Sequence, residues 1–376
     1  MQDLYRWWDA LDEILGATDE RAPSPWDVLN LVAMRPAEDR LSVSPADVDP
    51  SVTLGQGDAA RTIGLPLLLT DGSRGQLSPQ ARLALLQSAA RTGAALRLSD
   101  PEPDLMELGR ELGVAMWAVV GPRRTTQVVE AMRGAAVVEL QVAAMGPDGG
   151  LVRSVDAWDP EGSLATAVAA VRQVSGGSPV VLNTGPLSDR DVLRRAVLSG
   201  ADAVMVQGLS RSSLMHRRVV GTDPLAAVAS MVRTVARTKR PEDAPAPKLV
   251  VSGGFKDGIE VTKAVALGAD VVLMGTAPRI ALGCTLCGLC GPGECPRLDG
   301  AEGGKGPGPA WKAQAEDLVA YLGRVADQMR GALAQMGCSR VTEASPANLE
   351  AYTYDAAAVT GAPLAGYGET LPMWLH

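Results

Sequence analysis

Four of the five cysteines in this 376-residue chain lie close together, and such a cluster of thiols is suited to metal chemistry. They are Cys284, Cys287, Cys290 and Cys295, spaced C-x2-C-x2-C-x4-C-P. Thiolates at such spacing can surround an iron–sulfur cluster, although this run is one residue longer than the ferredoxin pattern ending in C-x3-C-P. Four thiolates also satisfy zinc, which is the alternative metal. A disulfide framework is typical of small secreted chains and does not fit a chain of this length.

Two glycine turns are predicted to bind a phosphate. Ser252, Gly253 and Gly254 form the first turn, and Gly275 and Thr276 form the second. Glycine lacks a Cβ, so backbone N–H groups can reach an anion, and the N-terminus of a following helix adds a favourable partial charge. The turns occupy matching positions in consecutive strand–helix units. They therefore favour a phosphate or flavin site, although either glycine motif alone could simply end a strand.

Polar residues also follow the first apolar run of the chain. Thr70, Asp71, Ser73 and Arg74 stand at its carboxyl end, where the chemistry of barrel enzymes takes place. They are candidate contacts of a flavin ring, and the alternative is a plain turn.

A second polar group lies in an insertion at residues 208–224. Arg211, Arg217 and Arg218 surround His216, and the group is either an anion site or a solvated loop. The only other histidine is His376, so the composition argues against a histidine-rich metal site and against a Ser-His-Asp triad.

Eight short apolar runs that alternate with amphipathic stretches must position these groups. We predict strands at 66–70, 94–99, 115–120, 136–143, 179–184, 201–207, 248–253 and 270–275. The clearest helices between them are predicted at 78–91, 163–174, 189–199, 224–237 and 258–267. Eight strand–helix repeats predict an α/β fold, a (β/α)8 TIM barrel, with an open doubly wound sheet as the alternative.

Segments outside these repeats extend the barrel at both ends. We predict an N-terminal helical extension at 1–60, the barrel at 61–283, a metal-cluster segment at 284–310, and C-terminal helices and tail at 311–376. Further helices are predicted at 2–16, 311–336 and 346–360. Trp26 is expected to pack the extension onto the body or a partner, and Cys338 to be a buried apolar residue.

The composition excludes several classes of protein. With 35 Lys+Arg against 43 Asp+Glu the net charge is -8, which offers no basic footprint for nucleic acid. No apolar run approaches the ~18 residues of a membrane span. The N-terminus is acidic and amphipathic, unlike a secretory signal. The sequence therefore predicts a cytoplasmic protein that binds neither nucleic acid nor a membrane.

Residues 251–296 carry a family resemblance. Their Gly-Gly loop, the ALGAD helix end, the Gly-Thr loop and the cysteine run resemble the flavin domain of ferredoxin-type and archaeal-type glutamate synthases. Cys284, Cys290 and Cys295 match the three positions of that family's Cys-x5-Cys-x4-Cys-Pro pattern. The stretch AYTYDAAAVTGAPLAG, at 351–366, resembles the flavin subunit of N-methylglutamate synthase.

The resemblance implies an FMN-bearing barrel beside an iron–sulfur cluster. The family pattern implies a three-iron (3Fe-4S) cluster, and the extra Cys287 allows a four-iron (4Fe-4S) cluster. The resemblance further implies an electron donor such as ferredoxin or a reductase, a small amino or 2-oxo acid substrate, and separate amidotransferase-like or other subunits. It assigns no catalytic residue in this chain.

Departures from the family pattern fall in the substrate half of the site. Glu139 and Met145 stand where the family has lysines, and Asn183 stands where it places a lysine beside the flavin. Asparagine can donate a hydrogen bond but supplies no charge. We therefore expect an altered pocket that does not take 2-oxoglutarate, since a dicarboxylate needs cationic partners. The alternative is a degenerate, non-catalytic subunit that keeps the barrel and cluster as a scaffold for a partner enzyme.

Overall fold

The computed structural model describes residues 24–33, 43–71, 77, 79–121, 125–145, 151–159, 162–185, 190–208, 223–242, 244–284, 310–367 and 370–371. Its strands are β1 (Leu29–Leu31), β2 (Val52–Leu54), β3 (Arg61–Ile63), β4 (Leu67–Thr70), β5 (Ala95–Leu98), β6 (Met116–Val120), β7 (Val137–Gln141), β8 (Ala143–Met145), β9 (Leu151–Arg153), β10 (Val180–Asn183), β11 (Ala203–Gln207), β12 (Lys248–Ser252), β13 (Val271–Met274) and β14 (Leu349–Ala351).

Helices surround these strands. They are α1 (Pro79–Thr92), α2 (Pro103–Glu111), α3 (Thr126–Gly134), α4 (Leu164–Val174), α5 (Arg190–Val197), α6 (Pro224–Arg237), α7 (Gly258–Leu267), α8 (Thr276–Ala281), α9 (Ala310–Met336) and α10 (Tyr354–Thr360). In the described part of the chain, no helix combines the length and the apolar character needed to cross a membrane.

Eight of the strands close into a parallel barrel in the order β4, β5, β6, β7, β10, β11, β12 and β13, with β13 paired back to β4. Their side chains are buried on both faces, which explains why these segments are apolar runs rather than alternating patterns. Thr70, Arg97, Glu139 and Asn183 are buried polar exceptions near the carboxyl ends of their strands.

Helix caps fix the loops that follow several strands. The side chains of Thr125, Ser163, Asp223 and Asp257 each accept a backbone N–H from the first turn of the helix that they precede. Such a cap stabilises a helix by about 1 kcal/mol. The caps thereby define where α3, α4, α6 and α7 begin at the carboxyl end of the barrel.

The two ends of the described chain meet on the outside of the barrel. β1 pairs antiparallel with β14, with Leu29 opposite Ala351. Trp26 stacks on Phe255, with ring centroids 4.9 Å apart, which confirms that this tryptophan packs the N-terminal segment onto the barrel. The 27-residue α9 lies along α1 and α7.

The predicted barrel is confirmed, and each predicted strand agrees with the structure to within two residues at either end. The open-sheet alternative is wrong because β13 closes onto β4. The predicted strand at 136–143 runs too far, because Ala143 begins the separate β8–β9 hairpin. The predicted helix at 346–360 is wrong over its first half, which contains β14. The helix predicted at 2–16 and the loop around His216 lie outside the described residues.

Candidate cofactor and active site

The turn after β12 brings two glycines to the carboxyl end of the barrel. Gly253 has φ 154° and Gly254 has φ 72°, which are backbone conformations that residues with a side chain rarely adopt. A Cβ on Gly253 would lie 2.5 Å from the Cβ of Pro224, the first residue of α6. Glycine is therefore required here by backbone shape and by close packing, independently of any ligand.

Side-chain oxygens of the protein accept hydrogen bonds from the N–H groups at the start of α7. The amide of Lys256 donates to Glu260 Oε2 at 2.8 Å, that of Glu260 donates to Asp257 Oδ1 at 2.9 Å, and that of Gly258 donates to Gln328 Oε1 at 3.0 Å. The expected contribution of this helix N-terminus to anion binding is therefore reduced. The donors that an anion could use lie one step earlier in the chain.

Those earlier donors are the amides of Gly254 and Phe255. Among the residues that the structure describes, neither of these N–H groups has a protein acceptor. Consecutive amides in a left-handed turn form an anion-binding concavity. The β12 turn therefore has the donor set of a phosphate site.

The turn after β13 lies next to it, because β12 and β13 are paired neighbours in the barrel. Gly275 ends this strand and Thr276 begins α8. A Cβ on Gly275 would lie 3.4 Å from Thr70 Cγ2, which is an ordinary van der Waals contact, so packing does not by itself require glycine at this position. Arg279, one turn into α8, donates from Nε to the Gly275 carbonyl at 3.2 Å, which brings positive charge to this turn.

A buried ion pair occupies the other side of the same end of the barrel. Arg97 on β5 makes two hydrogen bonds to Glu139 on β7, from Nε to Oε2 at 2.6 Å and from Nη2 to Oε1 at 2.7 Å. Arg97 is 6% exposed and Glu139 is fully buried. Burial alone lowers the pKa of Arg97, but Glu139 more than reverses this effect, so the pKa lies above the ordinary arginine value. The guanidinium is therefore charged and paired.

Asn183 extends the ion pair into a network. Its Nδ2 donates to Glu139 Oε1 at 2.6 Å, and its Oδ1 accepts the Gly185 N–H at 2.8 Å and Gln207 Nε2 at 3.3 Å. The third nitrogen of Arg97 donates to Ser99 Oγ at 3.0 Å. The Asn183 amide is thus committed to its neighbours on both sides.

Asp71 lies directly after β4, beside this network. Its Oδ1 accepts the Ser99 N–H at 2.9 Å, while Oδ2 lies 3.5 Å from Arg82 Nη2. The Oδ2 contact is an ion pair rather than a hydrogen bond, because this buried oxygen has no donor in hydrogen-bonding geometry. Burial raises the pKa of the Asp71 carboxyl, and the Ser99 N–H and the two arginines only partly offset that effect.

The network lies inside the barrel mouth. Arg97 reaches Glu139 across the intervening strand β6, and the hydrogen bonds continue to Asn183 on β10 and Gln207 on β11. A set of contacts that bridges so many strands fits the concave inner face of the barrel. We call Arg97, Glu139 and Asn183 the mouth triad.

The predicted residues of the barrel mouth fall into two groups. Thr70, Asp71, Asn183, Ser252, Gly253, Gly254, Gly275 and Thr276 all lie at the carboxyl end of their barrel strands. Ser73 lies outside the described residues, as do Arg74 and the arginines near His216. Sequence reasoning missed Arg97 and Gln207. A lone arginine in the apolar run ALRL, matched by a lone glutamate in VVELQ, was the available signal.

Of the cysteine run, the structure describes only its first member. Cys284 is buried three residues beyond the end of α8, and its N–H donates to the Arg279 carbonyl at 2.9 Å. Cys287, Cys290 and Cys295 lie outside the described residues. Within the described ranges, no three metal-ligating side chains come together. Cys338 is buried in the core, as predicted.

Parts of this chain are similar in sequence to glutamate synthases. Residues 153–339 match the conserved region in glutamate synthase. An archaeal-type glutamate synthase [NADPH] of Dehalococcoides mccartyi is 37% identical over 106 residues, which is 26% of this chain and 20% of that protein. A glutamate synthase large subunit-like protein of Rhizobium meliloti is 26% identical over 268 residues, covering 62% of this chain and 60% of that protein. This chain therefore spans only part of the length of these relatives.

A solved structure supports the fold. Mandelate oxidase in complex with (S)-2-phenylpropionate superposes with a TM-score of 0.56 at 18% sequence identity, covering 85% of this chain and 86% of that chain. At this level of identity the match establishes a shared barrel architecture.

Proposed function

This chain belongs to the glutamate synthase family, and on that premise we propose that it is an FMN-dependent oxidoreductase with an altered substrate pocket. The observation that carries the proposal is the pair of glycine turns on neighbouring strands, where the amides of Gly254 and Phe255 have no protein acceptor in the described part of the chain. In TIM barrels the turns after the seventh and eighth strands are a frequent phosphate site, and β12 and β13 hold those positions here.

The residues present fit the phosphate of FMN. Gly253 and Gly254 would hold it from the β12 side, Gly275 and Thr276 from the β13 side, and Arg279 adds positive charge. Bound FMN would supply hydride-transfer redox chemistry. The chain's own contribution is to anchor the phosphate and to present polar groups at the barrel mouth. Thr70, Asp71, Ser73, Asn183 and Ser252 are the proposed further contacts.

We further propose an iron–sulfur cluster on Cys284, Cys290 and Cys295. The family pattern supports a three-iron cluster, and Cys287 would complete a four-iron cluster. Cys284 supports the proposal by its position, because the short α8 separates it from the Gly275 turn. The cluster would then begin beside the proposed phosphate site, where it could relay electrons from a donor such as ferredoxin or a reductase.

The proposed substrate is a small amino or 2-oxo acid other than 2-oxoglutarate. The family's reaction class is reduction of an imine, in which a hydride equivalent reaches the imine carbon and a proton reaches its nitrogen. Two of the three family lysine positions, Glu139 and Asn183, hold an anion and a neutral amide in this chain. Ammonia or an amine would come from solution or from a separate amidotransferase-like subunit.

A second candidate function is a non-catalytic scaffold subunit. The observation that favours it is the mouth triad itself, in which Arg97, Glu139 and Asn183 hydrogen-bond one another. Such a subunit would keep the cluster for a partner enzyme without using a flavin.

The visible spectrum and iron content of protein purified without oxygen test these candidates. The proposed function predicts flavin bands together with a broad iron–sulfur shoulder that dithionite bleaches. A cluster without flavin supports the scaffold. A colourless protein with zinc would overturn both.

A further inference from the structure

The mouth triad lies at the carboxyl end of the barrel, where the flavin ring is proposed to bind, and we call this inner surface the floor of the proposed flavin pocket. Its members come from three strands and are all buried, and Arg97 donates to both oxygens of Glu139. In a bidentate pair at 2.6 and 2.7 Å, each charge cancels the field of the other over a short distance. The third member, Asn183, carries no charge and turns its N–H toward Glu139.

We propose that the mouth triad makes this floor electrically neutral, so that its three residues supply no positive charge to an anionic ligand or to negative charge on a bound flavin. The inference rests on the proposed FMN site. It names the substrate class as molecules that place no uncompensated carboxylate against the floor. Arg97, Glu139 and Asn183 act here as positioning and specificity residues.

Neighbouring cations are also compensated. Arg82, on α1, is paired with Asp71 and donates to Glu102 at 2.5 Å. Lys256, after β12, lies 3.2 Å from Glu260 Oε1 and is also paired with Asp27. These pairs flank the mouth without adding a net positive charge to it. Arg279 lies on the phosphate side, at the Gly275 turn.

Sulfite is a probe for the charge near a flavin. Its sulfur lone pair forms a bond to N5 of oxidised flavin, and the negative charge moves onto the N1–C2 carbonyl region of the ring. No external oxidant or reductant is consumed. The adduct is favoured when a cation can compensate the new charge, because an unpaired charge in a site of low dielectric is costly. A neutral floor therefore predicts a weak adduct.

The experiment is a sulfite titration of the FMN-loaded full chain, with the flavin midpoint potential measured in parallel. The wild type should bind sulfite weakly. Glu139→Gln preserves shape and removes the carboxylate that Arg97 hydrogen-bonds, leaving only the more weakly coupled Asp71 carboxyl near it. We therefore expect sulfite to bind about tenfold more tightly or better, with a higher midpoint potential. The double variant Arg97→Gln with Glu139→Gln restores neutrality and should behave like the wild type. A purely structural role for the triad would give no such pattern.

The outcomes separate the two levels of the proposal. Tight sulfite binding by the wild type overturns the neutral floor while leaving the FMN site intact. A folded Glu139→Gln variant that binds sulfite no more tightly than the wild type would also overturn the neutral floor. If the Glu139→Gln variant does not fold, the wild type and the double variant still test the neutral floor. Both must bind sulfite weakly, and tight binding by either one overturns the proposal. A chain that retains no FMN overturns the proposed function, and the inference with it.

Discussion

The Arg97–Glu139 pair is the least expected feature at the level of single residues. The sequence indicated Glu139 only as the loss of a lysine. The structure gives it a partner on β5, two strands away. Contacts between non-adjacent strands depend on barrel curvature and stagger, which no local pattern encodes. The sequence indicates Asn183 only as the replacement of a charged lysine. Its hydrogen bond to Glu139 likewise cannot be predicted from a local pattern.

The stability of the pair gives a first prediction. Removing one partner leaves a buried charge without compensation, so Arg97→Met should lower the free energy of unfolding by about 3–5 kcal/mol. The double variant Arg97→Met with Glu139→Leu should recover most of that loss, because two apolar side chains replace the pair. Denaturant titrations measure both. Arg91→Met is the matched control: its partner Glu316 is exposed, and the change should have little effect. Equal losses in the single and double variants would contradict the account.

Gly254 gives a second prediction. Gly254→Asp places a carboxylate where the flavin phosphate is proposed to bind, and FMN affinity should fall about tenfold or more. Gly113→Asp is the control, because Gly113 has nearly the same φ, 73° against 72°, and lies at the opposite end of the barrel with open space around it. Both variants should lose similar stability, measured by thermal unfolding, and only the first should lose FMN. Unchanged FMN binding in Gly254→Asp would remove the phosphate assignment.

The buried Asp71 carboxyl predicts a pH effect. Its pKa is raised in the folded state, so the folded chain binds this proton more tightly than the unfolded chain. The carboxylate therefore reduces stability increasingly as the pH rises above about 4, the ordinary aspartate pKa, and through the raised folded value. Asp71→Asn removes this titration. The stability of the variant relative to wild type should increase across that range, as measured by denaturant unfolding at several pH values; a constant difference would argue against it.

At the scale of elements, α9 holds the segment that follows the β12 turn. Tyr321 donates from its hydroxyl to the Lys256 carbonyl at 2.6 Å, and Gln328 accepts the Gly258 N–H at 3.0 Å. A Cβ on Gly258 would lie 2.2 Å from the Val325 carbonyl oxygen, so the helices approach each other closely. The phosphate turn thus rests on a helix that follows it by more than fifty residues in the sequence.

This close approach gives a fourth prediction. Gly258→Ala must push α9 away from α7 and should lower the free energy of unfolding by about 1–3 kcal/mol or more. Gly331→Ala, in α9 with nothing near its Cβ position, should instead raise it by about 0.5–1 kcal/mol. Thermal and denaturant unfolding compare the two. If Gly258→Ala were neutral, the described contact between the helices would be wrong.

The barrel elements were predictable because each strand is a continuous apolar run bounded by turn residues, as in 67–70 and 180–183. The pairing of β1 with β14 was not, since it joins segments about 320 residues apart in the sequence. The sequence predicts a helix over β14, because the alanine-rich stretch that follows this strand has a helical pattern. Local propensity does not indicate where such a stretch begins.

At the scale of the whole molecule, the barrel brings two chemically different halves to one end. The β12 and β13 turns offer amides and a cation suited to a phosphate, and the opposite wall carries the neutral mouth triad. The family relationship accounts for the first half, and the second half is where this chain departs from the family pattern. We propose that the chain combines the family's cofactor site with a different substrate pocket, which would explain both halves.

The binding of FMN compared with that of riboflavin tests the central claim most directly. The two ligands share the ring and differ in the phosphate, which the Gly253–Gly254 and Gly275 turns are proposed to hold. Titration of the flavin-free full chain, followed by flavin fluorescence, should give one FMN per chain and at least about tenfold weaker binding of riboflavin, since each charge-assisted hydrogen bond to the phosphate contributes about 1.5–3 kcal/mol. Equal affinities for the two ligands, or no binding of either, would contradict the account.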